Sequence, residues 1–358
     1  MMKLDERDWK DFAVPEIFQN IQRGKRLKNA DHIPGIVPYV SSTANNNGVD
    51  DYIEATEGTR VFKNCISLAN SGSVGTAFYE PFAFVASDHI TSLECKEANE
   101  YIYLFLITVL EQQGSNFNFN REINDIRIKK MRVMLPVTDD GEPDFQFMED
   151  YIRELMTAKR EQYQAYVEKR LKALKFVYPN WGGGYSKLLK TRQWQSFRMD
   201  AVFSILPGKR LVAADSTPGD RPFIGALDNS NGVARFVSDK NESLDKNVLG
   251  VNYNGNGMGI GFYHPYEYIF SDDVKRFHLK HHEDNQFVLL FMKACILMQK
   301  QKFGYLYKFN AERMAHNSIM LPITEADTPD YAFMESYGML MFLRKYEQYL
   351  SSLKRRVG

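Results

Sequence analysis

The sequence predicts an α+β protein built from two tandem copies of one module. Three observations carry this. At 358 residues the chain exceeds the roughly 250–300 at which a single hydrophobic core stops growing. A strand–turn–helix signature occurs twice, as Leu135-Pro136-Val137 leading to Gly141-Glu142-Pro143-Asp144-Phe145-Gln146-Phe147-Met148, and as Leu321-Pro322-Ile323 leading to Thr328-Pro329-Asp330-Tyr331-Ala332-Phe333-Met334. The copies stand 186 residues apart, and each opens a charged, aromatic-rich helical segment. Each module is predicted to be a small, curved, mostly antiparallel sheet with flanking helices and one long helix at its end.

The other shared blocks fall in the same order in both halves. Trp9-Lys10-Asp11-Phe12 and Trp194-Gln195-Ser196-Phe197 open them. Alternating apolar residues follow, Ile17 to Ile21 and Val202 to Ile205, which read as a short strand or a helix end. Gly24-Lys25-Arg26 and Gly208-Lys209-Arg210 read as turns. A Lys-Arg pair on a turn is ordinarily a solvated feature, and its recurrence at the same place favours a use for it. Pro34-Gly35 and Pro218-Gly219 then lead to the polar loops Asn45-Asn46-Asn47-Gly48 and Asp228-Asn229-Ser230-Asn231-Gly232. Asn-Gly between β-rich runs signals a tight turn.

The most informative loop is glycine-rich. Asn70-Ser71-Gly72-Ser73-Val74-Gly75 aligns without gaps to Asn254-Gly255-Asn256-Gly257-Met258-Gly259, and both copies run on through a proline to Ser87-Asp88 and Ser271-Asp272. Neither copy has the glycine spacing of a dinucleotide or phosphate loop. A closely packed hairpin, or a loop lying against a phosphate backbone, fits better. Helices are predicted over 98–112 and 285–299, with Tyr101, Leu104, Phe105, Thr108 and Val109 as the core stripe of the first. The aromatic-polar alternations Asn116 to Arg121 and Lys302 to Lys308 read as strands or hairpins.

Long helices are predicted from about Phe145 to Phe176 and from about Tyr331 to Arg356. The first places acidic residues early and basic residues late, as the helix dipole favours. In the second, Met339, Leu343, Tyr346, Leu350 and Leu353 form a heptad seam. Pro179-Asn180-Trp181-Gly182-Gly183-Gly184-Tyr185 reads as a hinge between the halves.

Several function classes are excluded or weakened. With 45 basic and 45 acidic residues the formal net charge is zero, so any nucleic-acid role must rest on local patches. No apolar run reaches the ~20 residues that span a bilayer. The N-terminus lacks a signal-peptide pattern, and Cys65, Cys95 and Cys295 show no pairing or metal spacing, so a cytoplasmic setting is expected. The Asn/Asp-Pro-Pro-Tyr/Phe motif of amino-methyltransferases is missing. Asp144 and Asp330 read as helix caps rather than nuclease acids. His281-His282-Glu283-Asp284 is the densest metal-like cluster, but it lacks partners at zinc spacing and reads as a solvated loop. No catalytic residues, cofactor site or metal site are assigned.

These repeated features resemble the DNA-specificity subunits of type I restriction-modification systems. Met134-Leu135-Pro136-Val137…Gly141-Glu142-Pro143-Asp144…Phe147-Met148 and Ile319-Met320-Leu321-Pro322-Ile323…Pro329-Asp330…Phe333-Met334 look closest to the recognition subunit of BcgI-like type IIB enzymes. The resemblance implies two target-recognition domains, residues 1–144 and 191–328. It also implies a central spacer helix over 145–177, a linker over 178–190 and a C-terminal spacer helix over 329–358. By the same resemblance the two helices pair as an antiparallel coiled coil, set the gap between half-sites and dock methyltransferase and nuclease subunits. Those partners, not this chain, would hold S-adenosylmethionine and magnesium. Lys25, Arg26, Asn70, Ser71, Ser73, Lys209, Arg210, Asn254 and Asn256 are carried over as DNA-facing candidates on double-stranded DNA. A twin-module protein adaptor without DNA binding is the alternative, for which the neutral charge leaves room.

Overall fold

The computed structural model describes residues 2–118, 120–177, 185–254, 257–303 and 308–357. Its contacts divide it into two compact units, Met1–Tyr163 and Gln164–Gly358, and the division falls inside one long helix. Residues 179–184 of the predicted hinge lie outside the described residues.

The first unit begins with β1 (Trp9–Ala13), the single-turn α1 (Val14–Ile17) and β2 (Asn20–Arg23). Then come β3 (Pro34–Val40), β4 (Val49–Ile53), β5 (Val61–Phe62), β6 (Cys65–Ala69), β7 (Ala77–Glu80), β8 (Phe84–Ala86) and β9 (Ile90–Glu94). Helices α2 (Glu100–Gln112) and α3 (Asp125–Lys130), strand β10 (Arg132–Pro136) and helix α4 (Phe145–Val177) complete the repeat. The order β2-β9-β6-β7 is antiparallel throughout; β4-β3-β8-β5 is antiparallel except for the β3–β8 pair. A separate antiparallel ribbon joins β1 to β10. The mostly antiparallel expectation therefore holds, with the strands shared between two sheets and a ribbon.

The second unit repeats this. After α5 (Tyr185–Lys190) come β11 (Trp194–Arg198), α6 (Met199–Val202), β12 (Phe203–Pro207), β13 (Pro218–Ile224) and β14 (Val233–Val237). Then follow β15 (Val248–Asn252), β16 (Gly261–His264), β17 (Ile269–Phe270), β18 (Val274–Leu279), α7 (Gln286–Leu297), α8 (Ala311–His316), β19 (Ser318–Pro322) and α9 (Tyr331–Val357). The sheet order β12-β18-β15-β16 and the ribbon β11-β19 match the first unit, and β14-β13-β17 matches β4-β3-β8, with an isolated Asp245–Tyr268 bridge in place of β5.

Local chemistry is duplicated as closely as topology. Asp144 and Asp330 each accept the backbone N–H three residues on at 2.9 Å, so both are the helix caps the sequence predicts. Asn99 and Asn285 cap α2 and α7, and each amide also donates to a long-helix carboxylate, Glu149 at 2.6 Å and Glu335 at 2.8 Å. Trp9 stacks on Phe105 and Trp194 on Phe291, both at 6.2 Å. Each unit thus clamps its long helix to the helix that lies on its sheet.

The structure sharpens three expectations. Helix α2 is buried nearly all round: Tyr103 stacks on Tyr79 of the sheet, while Phe105 meets Tyr151 of α4 and Thr108 is exposed. Of the predicted stripe, Phe105 and Val109 are in the core and Tyr101 and Leu104 pack against it, and Ile102, Tyr103, Leu106 and Leu110 are buried as well. Of the strand or hairpin expected over Asn116 to Arg121, the hairpin is found: Asn118 and Arg121 pair in an isolated antiparallel bridge. Residues 304–307 of the second alternation lie outside the described residues. The His281–Asp284 segment is also more than a solvated loop. Asp284 accepts from Leu279 N–H at 2.9 Å and holds His278, and His282 stacks on Tyr331.

Within the second unit, the latter half of α4 packs against α9. Val167, Leu171 and Leu174 meet Leu343 and Tyr346. Tyr166 contacts Tyr346, while Arg170, one turn later, reaches Gln286 beside Phe287, which packs on Phe342 one turn earlier in α9. The two helices therefore run antiparallel.

Candidate nucleic-acid interface

The two motifs carried as DNA-facing candidates converge on a third element, the turn between β8 and β9 and its counterpart between β17 and β18. In the first unit Gly24 N–H donates to Ile90 and Lys25 N–H to Ala86. In the second, Gly208 donates to Val274 and Lys209 to Phe270. The glycines are required by close approach: a Cβ would lie 2.2 Å from the Ser87 carbonyl oxygen at Gly24, and 1.9 Å from that of Ser271 at Gly208. This contact leaves Lys25, Arg26, Lys209 and Arg210 exposed beside the turn. Lys209 pairs with Glu242 at 2.7 Å and Arg210 approaches Asp272 at 3.6 Å. Exposed pairs of this kind are worth little in water, so both cations can be recruited by a phosphate.

The turn itself is the same in both units. Ser87 N–H donates to Val40 at 2.9 Å and Ser271 N–H to Ile224 at 2.8 Å. Each serine hydroxyl accepts a backbone N–H two residues on, from His89 or Asp273, at 3.2 Å. The glycine loop then leans on the turn, with Asn70 N–H donating to the His89 carbonyl and Tyr253 N–H to that of Asp273.

That last pair corrects the ungapped alignment. Ala69 and Asn252 both donate to the residue after the loop's last glycine, and Gly75 and Gly259 donate back to them. Between these anchors the second loop is one residue longer, so Asn70 corresponds to Tyr253 and Ser71 to Asn254. Gly75 and Gly259 have φ of 88° and 76°, which explains their fixed position.

The predicted residues therefore separate. Asn70 is buried, its amide donating to Thr91 Oγ1 at 3.2 Å, and it anchors the loop instead of reaching outward. Ser71 is also buried and hydrogen-bonded to His89. Ser73 is half-buried, its N–H donating to Ser42. Asn254 is half-buried and donates to Asp273 Oδ1 at 2.9 Å. Asn256 lies outside the described residues. Sequence reasoning missed His89, Asp273 and Lys275. The available signal was the repeated Ser-Asp that follows each glycine loop. Lys275 sits 4.6 Å from the Tyr253 ring, its ammonium pKa lowered by burial.

Among the described residues no cluster of His, Cys, Asp and Glu can hold a metal, and no helix is long and apolar enough to cross a membrane. The arrangement offers cations, amides and a turn on one loop edge of each sheet pair, which suits a polyanion with readable edges.

Comparison with known proteins decides the family. The model of the type I restriction modification DNA specificity domain matches residues 6–164 and again 191–347. The chain belongs to that family. This specificity subunit is 38% identical, over 92% of its own length and 93% of the relative's, to the type II restriction enzyme BgcI specificity subunit of Heyndrickxia coagulans. Among solved structures, the type I restriction-modification S subunit from M. genitalium aligns with TM-score 0.44 and 15% identity, covering 99% of this chain and 95% of that one. The HsdS subunit from Thermoanaerobacter tengcongensis aligns with TM-score 0.34 and 12% identity, covering 98% and 92%. The role of the subunit is DNA recognition and not catalysis.

Proposed function

We propose that each unit reads one half of a bipartite, asymmetric duplex DNA sequence. The observation that carries this is the repeated loop edge: one backbone, present twice, with different side chains at equivalent positions. Lys25, Arg26, Lys209 and Arg210 bind phosphates and set register, and the turn and glycine loop address base edges. Helices α4 and α9 fix the gap and dock the methyltransferase and nuclease subunits. Support for docking comes from a cleft of about 630 Å³ on the second unit, lined by Trp194, Phe291, Met298, Met320, Met341 and Phe342 among others. S-adenosylmethionine and magnesium belong to those partners, and the complex works in the cytoplasm.

The test mixes the subunit with the methyltransferase of its own system, S-adenosylmethionine and a randomised duplex library, and sequences the methylated molecules. A two-part sequence with unlike halves is expected. Replacing Lys25 and Arg26 by glutamate weakens methylation of all sequences alike and lowers the salt dependence of binding by about two counterions. A continuous or palindromic site would overturn the bipartite reading, and absence of any DNA binding would favour the adaptor.

A further inference from the structure

We infer that the residue after Ser-Asp in the repeated turn, His89 in the first unit and Asp273 in the second, is a base-reading residue that distinguishes the two half-sites. This rests on the DNA-reading role proposed above and adds to it the residues that read. Four backbone hydrogen bonds hold the two turns identically: to the preceding strand, across the turn, to the serine hydroxyl, and from the glycine loop. The backbone therefore presents the position in the same way twice. The side chains it presents differ in chemistry.

Each is aimed by one glycine-loop side chain at an equivalent place. Ser71 Oγ hydrogen-bonds His89 Nδ1. Asn254 Nδ2 donates to Asp273 Oδ1 at 2.9 Å. The His89 side chain is 54% exposed, and its Nε2 lies 3.9 Å from the Asp88 carboxylate, beyond hydrogen-bond distance. In the tautomer in which Ser71 donates to Nδ1, Nε2 carries the proton and offers a donor. Such a donor pairs with guanine N7 or O6, thymine O4 or adenine N7 on the major-groove edge and is refused by cytosine, which presents only a donor there. Asp273 accepts from Asn254 at Oδ1 and also meets the Tyr253 hydroxyl; the lone pairs that a carboxylate keeps beyond these two bonds accept from the amino group of cytosine or adenine.

The cations nearby suit this division of labour. Lys25 and Arg26 flank the first turn, and their backbone is tied to it through Ala86 and Ile90. Arg210 at 3.6 Å from Asp272 and Lys275, which donates to the Asp272 carbonyl, flank the second. An aspartate brought against a polyanion is repelled unless cations stand beside it, and here two do.

The test uses the complete complex with its methyltransferase and the same sequencing of methylated library molecules. Asp273→His is expected to change the preferred base at one position of one half-site, away from cytosine and toward guanine or thymine, and to leave the other half-site intact. His89→Ala is expected to relax one position in the other half-site and slow methylation of the cognate duplex about ten-fold. Ser71→Ala, which frees the ring without removing it, should broaden the same position as His89→Ala. Thermal melting of each variant controls for folding, and Asp273→Asn, with an almost unchanged shape, provides a second reading at that site. If the wild-type complex gives a bipartite site but these variants keep every base preference, or weaken all sequences equally, the inference is overturned while the proposed function stands. If the wild-type complex shows no bipartite site, the proposed function fails first and takes this inference with it.

Discussion

The two units share one loop edge but differ on the outer face of their helices. In the first, Ile152 of α4 is 7% exposed and fills the space beside α2. At the matching place in α9 the second unit has Gly338, where a Cβ would lie 2.7 Å from the Phe287 Cβ. Thr108 and Gln112 of α2 correspond to Ala294 and Met298 of α7, and the second unit opens an apolar cleft there. Met298 is 78% exposed where the first unit has Gln112, whereas Met320 and its counterpart Met134 are exposed alike, at 47% and 45%. Duplication preserved the contacts that hold helix to sheet and released those that do not. One copy was sealed and the other left open.

The strongest way to break the comparison is at the two glycines that seat the Lys-Arg turns. Gly24→Ala and Gly208→Ala each force a methyl group onto a carbonyl oxygen, at 2.2 Å and 1.9 Å. Each should destabilise its own unit by about 4 kcal/mol, read as loss of hydrogen-exchange protection in that unit alone. Equal and small losses in both would mean the turns are not packed as described.

A smaller effect is expected on the helices. Ile152→Ala removes buried volume and should cost about 3 kcal/mol, whereas Gly338→Ala should cost about 2 kcal/mol by overpacking against Phe287. Urea midpoints measure both. A Gly338→Ala variant more stable than the parent would show that α7 can move aside and that the cleft is incidental.

The smallest and sharpest contrast is with pH. Glu80 of β7 and His264 of β16 occupy the same place, the first paired in register with Cys65 and the second with Val248. Burial raises the Glu80 carboxyl from its ordinary 4.5 to about 7 and lowers His264 from 6.5 to about 4. A folded pKa above the unfolded one means that native Glu80 holds its proton longer. Its favourable contribution is complete below pH 4.5 and is lost as pH rises through 7. The shift corresponds to about 3 kcal/mol at most, and less as water penetrates. For His264 the sign reverses: stability is complete above pH 6.5 and is lost as pH falls through 4. Glu80→Gln should flatten the first unit's profile between pH 4.5 and 7 and leave the second unit unchanged. A slope that survives in the variant would place its origin elsewhere.

Much of this fold was legible because the repeat is carried by residues whose chemistry is local. A capping aspartate after Pro143 or Pro329 and the Leu-Pro strand ends each declare themselves within a few positions; the capping asparagines at 99 and 285 were equally local and went unread. The long helix over 145–177 and the antiparallel character of the sheets were readable for the same reason. The register of the glycine loop was not. Asn70 and Asn254 match by letter, yet backbone hydrogen bonds from Ala69 and Asn252 set the correspondence, and one extra residue in the second loop shifts it. The stripe on α2 was legible apart from Thr108, but Ile102, Tyr103, Leu106 and Leu110 were not picked out, because a helix packed nearly all round shows no single stripe. His89 and Asp273 escaped notice because residues that differ between copies leave no repeated letter; only the Ser-Asp before them repeats.

The hydroxyl of Ser87 or Ser271 and the main-chain groups around it fix the shape of each turn without help from the side chain at its tip. A substitution at the tip therefore leaves the scaffold's stability almost untouched. What the subunit recognises can drift by single codons while the inherited frame stays under selection, and the two tips, descended from one ancestor, are free to drift apart within one polypeptide.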